Sequence, residues 1–314
     1  MKAAVVTAYG DVPAYRDFAE PTPRADEIVI SVEAVAITQL VKAQVAGRHY
    51  SMGPGGHPAP FTPGTEGVGR MADGARVYFA FPSYPHGSMA ERVAVKRNLC
   101  IPVPDGIVSA RAAALANPAM SSWAALTFRA HFKEGETIWV LGATGASGAL
   151  ALEIAKARKA GRIVAFGRGG EREGALLARG ADQFVQTDDP RLSAEVTALA
   201  KTAPPDVVLD YLWGAPATAL MSGLLAAHIS NPCRWVQIGG VAGDPTSVPA
   251  GLLRSGPFML VGSGLGSVAD ADLVAAIGEA LKVADRLTID YAAVPLADVA
   301  SAWDRKERMV LTMT

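Results

Sequence analysis

The segment that most constrains this chain reads Trp139-Val140-Leu141-Gly142-Ala143-Thr144-Gly145-Ala146-Ser147-Gly148-Ala149-Leu150. An apolar run with strand character meets three spaced glycines and passes into residues that favour a helix. Gly142 permits a tight turn, Gly145 lets a ligand approach the backbone without meeting a Cβ, and Gly148 lets the helix pack closely on the strand. The bare N–H groups of the helix start and the helix dipole favour an anion, here the diphosphate of a dinucleotide. A Gly-x-x-Gly-x-x-Gly run alone is a weak signal; its place between a predicted strand and a predicted helix, inside a βαβ unit, gives it weight.

The surrounding pattern agrees. Strands are expected at residues 137–141, 162–166, 206–209, 235–238 and 258–261. Helices are expected at 149–159 and 172–179, the second closed by Gly180 at C′. This alternation implies an α/β fold with a parallel sheet covered on both faces. The N-terminal third differs. It carries β-branched strand candidates at 1–7, 28–35, 76–80 and 89–95, punctuated by a Gly/Pro loop at 52–58. Ser109 is an N-cap candidate for an alanine-rich helix. The tail at 309–312 is strand-like and is expected to pair with the N-terminal region.

The strand that follows the glycine turn indicates which dinucleotide is bound. An NAD site usually ends this strand with an acid for the ribose hydroxyls. Ile163-Val164-Ala165-Phe166-Gly167 carries none, Arg168 follows, and Arg172 lies one turn on. A guanidinium pairs with a 2′-phosphate that a carboxylate would repel, so NADPH is expected over NADH.

Composition excludes several classes. The 314 residues carry a net charge of -1, with no run of Lys and Arg, which disfavours nucleic acid as a partner. The two cysteines cannot build a disulfide framework. The opening residues are too short and too soon interrupted for a signal peptide, and the apolar stretch 207–228 contains Asp210, Gly214 and Pro216, so no membrane span is expected. A cytoplasmic location follows as the expectation.

Met1-Lys2-Ala3, Pro63-Gly64-Thr65-Glu66-Gly67-Val68-Gly69, Gly87-Ser88-Met89-Ala90-Glu91, the glycine turn, Gly180-Ala181-Asp182, Gly239-Gly240 and Arg308-Met309-Val310-Leu311 follow one another along nearly the whole chain. In this order and spacing they resemble the zinc-free quinone oxidoreductase branch of the medium-chain dehydrogenase/reductase superfamily. The resemblance implies a GroES-like catalytic domain at 1–115, a Rossmann NADP-binding domain at 116–268, and a helix and return strand at 269–314. It also implies an active-site cleft at the junction and a homodimer, which a strand near 258–265 could build by pairing with its copy. Zinc members carry Gly-His-Glu where this chain has Gly64-Thr65-Glu66, and a cysteine within the segment 38–41. His49 and His57 are read as loop polarity, and no metal site is expected.

On this resemblance NADPH is held by Gly142, Thr144, Gly145, Ala146, Ser147 and Gly148, with Arg168 and Arg172 at the 2′-phosphate. Ser121 helps hold the cofactor, and Gly239, Gly240, Val241, Gly262 and Ser263 line its nicotinamide side. Tyr50, Thr38 and Lys42 are the catalytic candidates; Thr38 stands where the family has an asparagine, and Lys42 is a candidate electrophile one turn later. Without a Lewis acid, a quinone or an α,β-unsaturated carbonyl is the easier hydride acceptor, because the added charge spreads over a hydroquinone or enolate. Two alternatives stay open: an NADPH-binding structural or regulatory protein with little turnover, and an enoyl-thioester reductase of the same fold. A short-chain dehydrogenase is excluded, since none of the seven tyrosines has Lys four positions on.

Overall fold

The computed structural model describes residues 1–52, 56 and 58–313. His57 and residues 53–55 of the Gly/Pro loop lie outside the described residues. The chain divides into two compact units, Met1–Asn117 with Leu273–Thr314, and Pro118–Asp272.

The first unit contains β1 (Lys2–Val5), β2 (Ala14–Asp17), β3 (Glu27–Ala36), β4 (Glu66–Arg70), β5 (Arg76–Ala80), β6 (Arg92–Lys96) and β7 (Cys100–Pro102), of which β3, β5 and β6 are rich in β-branched or aromatic residues. Between β3 and β4 lies α1 (Gln39–Val45), and α2 (Ser109–Ala124) leads out of the unit. The sequence predicts one strand over 89–95, but pairing begins only at Arg92. Met89 instead accepts from Ala4 N, and Ala90 forms an isolated bridge with Ala3. Ser109 is the first residue of α2 rather than its cap, and its hydroxyl donates to Glu33.

The second unit is built from β8 (Thr137–Leu141), β9 (Arg162–Gly167), β10 (Gln183–Gln186), β11 (Val207–Asp210), β12 (Cys233–Gln237) and β13 (Phe258–Gly262). Its helices include α3 (Ala146–Ala157), α4 (Glu173–Ala178), α5 (Leu192–Thr202) and α6 (Gly214–Ala227). The strands pair in parallel in the order β10-β9-β8-β11-β12-β13. This is the doubly wound Rossmann order, with its reversal between β8 and β11. Ile138, Trp139, Val140 and Leu141 are all fully buried, as a strand covered on both faces requires. Trp139, Phe166, Val208 and Trp235 share one core with Val196 and Leu220 of the covering helices.

The closing strands β14 (Ala292–Pro295) and β15 (Met309–Thr312) return to the first unit. There β15 pairs with β3, as the tail pattern predicts, in a sheet ordered β14-β15-β3-β4-β5-β7 with β6 also on β3. Ile30, Val35, Phe79, Val93 and Leu311 form its core. Among the described residues no helix is long and apolar enough to cross a membrane.

Helix α3 begins at Ala146, three residues before the sequence expectation, so it grows directly from the glycine turn. A Cβ at Gly148 would lie 2.2 Å from the Gly142 carbonyl oxygen, which leaves no room for any side chain. Gly148→Ala is therefore expected to cost about 1–3 kcal/mol by overpacking, measured by denaturant unfolding. An unchanged midpoint would show that the turn can relax.

Candidate functional site

The glycine turn closes β8 by bending sharply back on β9. Gly142 takes φ +96, a conformation open to glycine, and Gly142 N and Ala143 N both donate to Phe166 O at 2.9 Å. Gly145 is the N-cap of α3 and offers no side-chain acceptor, so the first-turn N–H groups of Ala146, Ser147 and Gly148 point out uncapped. A Cβ on Gly145 would meet nothing nearer than the turn's own Gly142 oxygen, at 3.5 Å. Open amides, a helix dipole and free approach to the backbone are what a diphosphate needs, so these residues fit a dinucleotide.

The end of β9 lies against the same turn. A Cβ on Gly167 would sit 2.5 Å from the Thr144 methyl, and Arg172 Nη1 donates to Thr144 O at 3.3 Å. Arg168 follows Gly167 and is exposed. Arg172 thus meets Thr144 beside the open amides, while exposed Arg168 lies in the chain just after Gly167 and Glu171 lies in the connecting 3-10 turn.

A second set of site residues is organised by Asp210, which the sequence reading passes over. Its buried carboxylate accepts from Leu212 N at 2.9 Å, Trp213 N at 2.8 Å and Trp235 Nε1 at 3.1 Å. Its carbonyl accepts from Ile238 N at 2.7 Å and Gly239 N at 3.1 Å. One residue therefore ties the turn after β11 to the segment after β12. Tyr211, also unremarked in the sequence, floors this region: a Cβ on Gly142 would meet the Tyr211 Cβ at 3.2 Å, and one on Gly239 would meet the Tyr211 carbonyl oxygen at 2.7 Å. Burial pushes the Tyr211 phenol up to about 12.

Ser121 lies 3.3 Å from the Tyr211 hydroxyl, while its own hydroxyl donates to Pro118 O at 2.7 Å. Gly240 and Gly262 face open space, and Val241 is exposed. Ser263 N donates to Gln237 O, and Gln237 Nε2 donates to Gly239 O, which joins the two strand ends. Gly262 O accepts from Arg129 Nε at 2.7 Å.

The catalytic candidates lie in the first unit. Thr38 is the N-cap of α1; its buried hydroxyl accepts from Val41 N at 3.2 Å and keeps its own hydrogen to donate. Lys42 lies four residues further along α1, its N–H donating to Thr38 O. Tyr50 opens a short 3-10 turn, is 67% exposed, and places its ring 4.3 Å from that of His49. His49 itself bonds Ser51 Oγ at 2.7 Å. Glu66 is buried and accepts from Asn117 Nδ2 at 3.1 Å; burial pushes its carboxyl up, against the pull of Tyr78, Asn117 and Arg308. Among the described residues, no three His, Cys, Asp or Glu side chains gather in a way that could hold a metal ion. Cys100 and Cys233 are both free thiols, pushed by burial to about 11 and about 12.

Asp210 supplies a pH test. Burial raises it from the ordinary carboxylate value to about 6, outweighing the three hydrogen bonds that lower it. A raised native value means that its stabilising contribution is full below about pH 4 and is lost as the pH climbs through about 6. Indole fluorescence is therefore expected to titrate with a midpoint near 6 through Trp235. The transition should vanish in Asp210→Asn; its persistence there would assign it to another group.

No family model matches the chain. A probable NADPH-dependent quinone reductase, tdiC, of Emericella nidulans is 26% identical over 351 aligned positions, covering 98% of this chain and 97% of the relative. The quinone oxidoreductase of Rattus norvegicus is 27% identical over 208 positions, covering 62% of this chain and 60% of its own. Among solved structures, the quinone oxidoreductase of Thermus thermophilus, determined also in complex with NADPH, is 27% identical with a TM-score of 0.81 and full coverage of both chains. The resemblance carried by the motifs is thus matched by relatives that are quinone oxidoreductases over the whole chain length.

Proposed function

We propose that this chain is an NADPH-dependent reductase that passes a hydride to a quinone or an α,β-unsaturated carbonyl compound without a metal ion. The observation that carries this reading is the uncapped start of α3 at Gly145, with Arg172 bonded to Thr144 of the same turn and no acid at the end of β9, where Arg168 follows Gly167. The names of the full-length relative from Emericella nidulans and of the Thermus structure support it.

In this reading the amides of Ala146, Ser147 and Gly148 bind the diphosphate, with Gly142, Thr144 and Gly145 shaping the turn around it. Arg168 and Arg172 take the 2′-phosphate by charge-assisted hydrogen bonds. Ser121, with Tyr211 behind it, and Gly239, Gly240, Val241, Gly262 and Ser263 flank the nicotinamide. Bound NADPH supplies the hydride. The protein's part is to fix the distance and angle to the acceptor and to keep water away from the transfer. Thr38, with a hydrogen left to donate, orients the acceptor; Lys42 adds positive charge one turn along, and Tyr50 covers the acceptor from the exposed side. Thr65 occupies the position of a zinc ligand in the zinc-dependent branch, and a threonine hydroxyl is a poor zinc donor, which supports a metal-free reaction.

We extend the proposal to a homodimer in the cytoplasm. β13 is a sheet edge with Met259 exposed on it, a surface that a two-fold copy could cover. Two unpaired cysteines suit a reducing compartment.

Loss of nicotinamide absorbance on adding para-benzoquinone or cyclohexenone is the direct test. Tight NADPH uptake with no turnover of either would favour a binding role. Arg168→Ala is expected to raise the KM for NADPH about tenfold or more while leaving that for NADH nearly unchanged, as the loss of one charge-assisted contact predicts. An unchanged ratio of the two constants would remove Arg168 as selector. Activity is also expected to survive dialysis against a chelator; its loss, with recovery on adding zinc, would overturn the metal-free reading.

A further inference from the structure

The second unit carries a hollow that none of the roles above uses. Its volume is about 410 Å³, within the size range of small-molecule sites. One wall is the start of β9 and the strand β10, with Arg162, Gln183, Phe184 and Val185; the other is α5, with Glu195 and Leu199. Arg162 and Gly167 are the first and last residues of β9. At the usual rise per residue, about 17 Å of strand therefore separates this arginine from the glycine turn.

Arg162 is half-buried, and its charge is unmatched. Its Nη2 donates to Gln183 Oε1 at 2.9 Å, which holds the guanidinium against β10. Nε is buried and has no hydrogen-bond partner among the described residues. Nη1 makes no bond either, yet it is not buried, so it is the nitrogen that a ligand can reach. The acid in the wall, Glu195, pairs with Arg191 at 3.5 Å, and Asp182, next in the chain to Gln183, accepts from Ile163 N at 2.8 Å. Arg162 itself forms no ion pair among the described residues. A guanidinium keeps its charge at any physiological pH, and one held partly out of water without a counter-ion favours an anion.

The rest of the hollow is apolar. Phe184 is half-buried, and Val185 and Leu199 are buried. β10 is the outermost strand of its sheet, so its outer backbone edge has no strand partner and offers further donors.

We propose that this hollow is a second ligand site of the chain, which takes a small monocarboxylate with an apolar body. The carboxylate meets Arg162 Nη1, and the body lies against Phe184 and Leu199. The site goes beyond the reductase reading and does not depend on it, since it shares no residue with the cofactor set. A single negative charge suits the wall. One guanidinium with Glu195 close by cannot compensate a phosphate monoester, which carries up to about two charges at neutral pH. A neutral molecule would displace water from Arg162 and return no charge-assisted hydrogen bond.

Benzoate is the probe, with benzamide as its uncharged counterpart and phenyl phosphate as the dianion, each followed by ligand-observed NMR on the full chain. Benzoate is expected to bind at least about tenfold more tightly than either comparison compound, as one charge-assisted contact predicts. Arg162→Gln should weaken benzoate about tenfold or more and bring it level with benzamide, and Arg162→Lys should recover part of the loss. Ala198→Phe, at an exposed position of α5 on the rim of the hollow, leaves Arg162 in place and should abolish binding. Circular dichroism checks the fold of each variant; if Arg162→Gln unfolds, Ala198→Phe and the benzamide comparison decide. No binding of benzoate to wild type, benzamide or phenyl phosphate binding as tightly as benzoate, or benzoate affinity unaltered in a folded Arg162→Gln or in Ala198→Phe would overturn the proposal. NADPH uptake is read separately by nicotinamide fluorescence, and its failure would sink the reductase reading while leaving this site standing.

Discussion

The carbonyl oxygen of Gly142 occupies the space that a side chain at position 148 would need. That contact lets α3 start within one turn of the end of β8, and much of the second unit is arranged around it. Because α3 sits so close, its first amides are presented at the carboxyl edge of the sheet, next to the reversal of strand order where such sheets take ligands. The same tightness brings the end of β9 against Thr144, and Arg172 bonds the Thr144 carbonyl of the same turn. The turn presents almost no side chains, and its open backbone depends on their exclusion.

Asp210 performs the matching task on the other side of the reversal. Its carboxylate and carbonyl together hold five donors: two from the turn after β11, the indole of Trp235 within β12, and two from the chain after β12. The turn it supports contains Trp213 at φ 57 and Gly214 at φ +59, and Ala242 N closes back on Leu212 O at 2.9 Å. A buried acid with this many partners is accepted despite the cost of burial because each partner would otherwise be an unpaired backbone or indole N–H.

The sequence revealed the parts that depend on period and on glycine. The alternation of strand and helix, the parallel sheet, the glycine turn and the arginines that follow it could all be read from residue type and spacing. It did not reveal which polar side chains serve the backbone. Ser109 has the look of a helix cap, yet its hydroxyl goes to Glu33, a partner 76 residues away that no local pattern announces. Thr38, legible only as a stand-in for an asparagine, is itself a cap. Asp210 is legible only as a break in an apolar stretch, and Tyr211 is not singled out, because an acid and a tyrosine after an apolar strand resemble ordinary loop entry; only the folded sheet shows what they hold. Thr65 is legible for the ligand it replaces, and its unpaired hydroxyl emerges only with the three-dimensional surroundings.

The two thiols have a bearing on durability. Quinones and enones are soft electrophiles that alkylate cysteine through its thiolate, and a protein that collects them risks self-inactivation. With Cys100 raised to about 11 and Cys233 to about 12, both sulfurs stay protonated at neutral pH, and the second is sealed inside the sheet. Packing that serves the core thus also slows the reaction of both thiols with the compounds the chain is proposed to reduce.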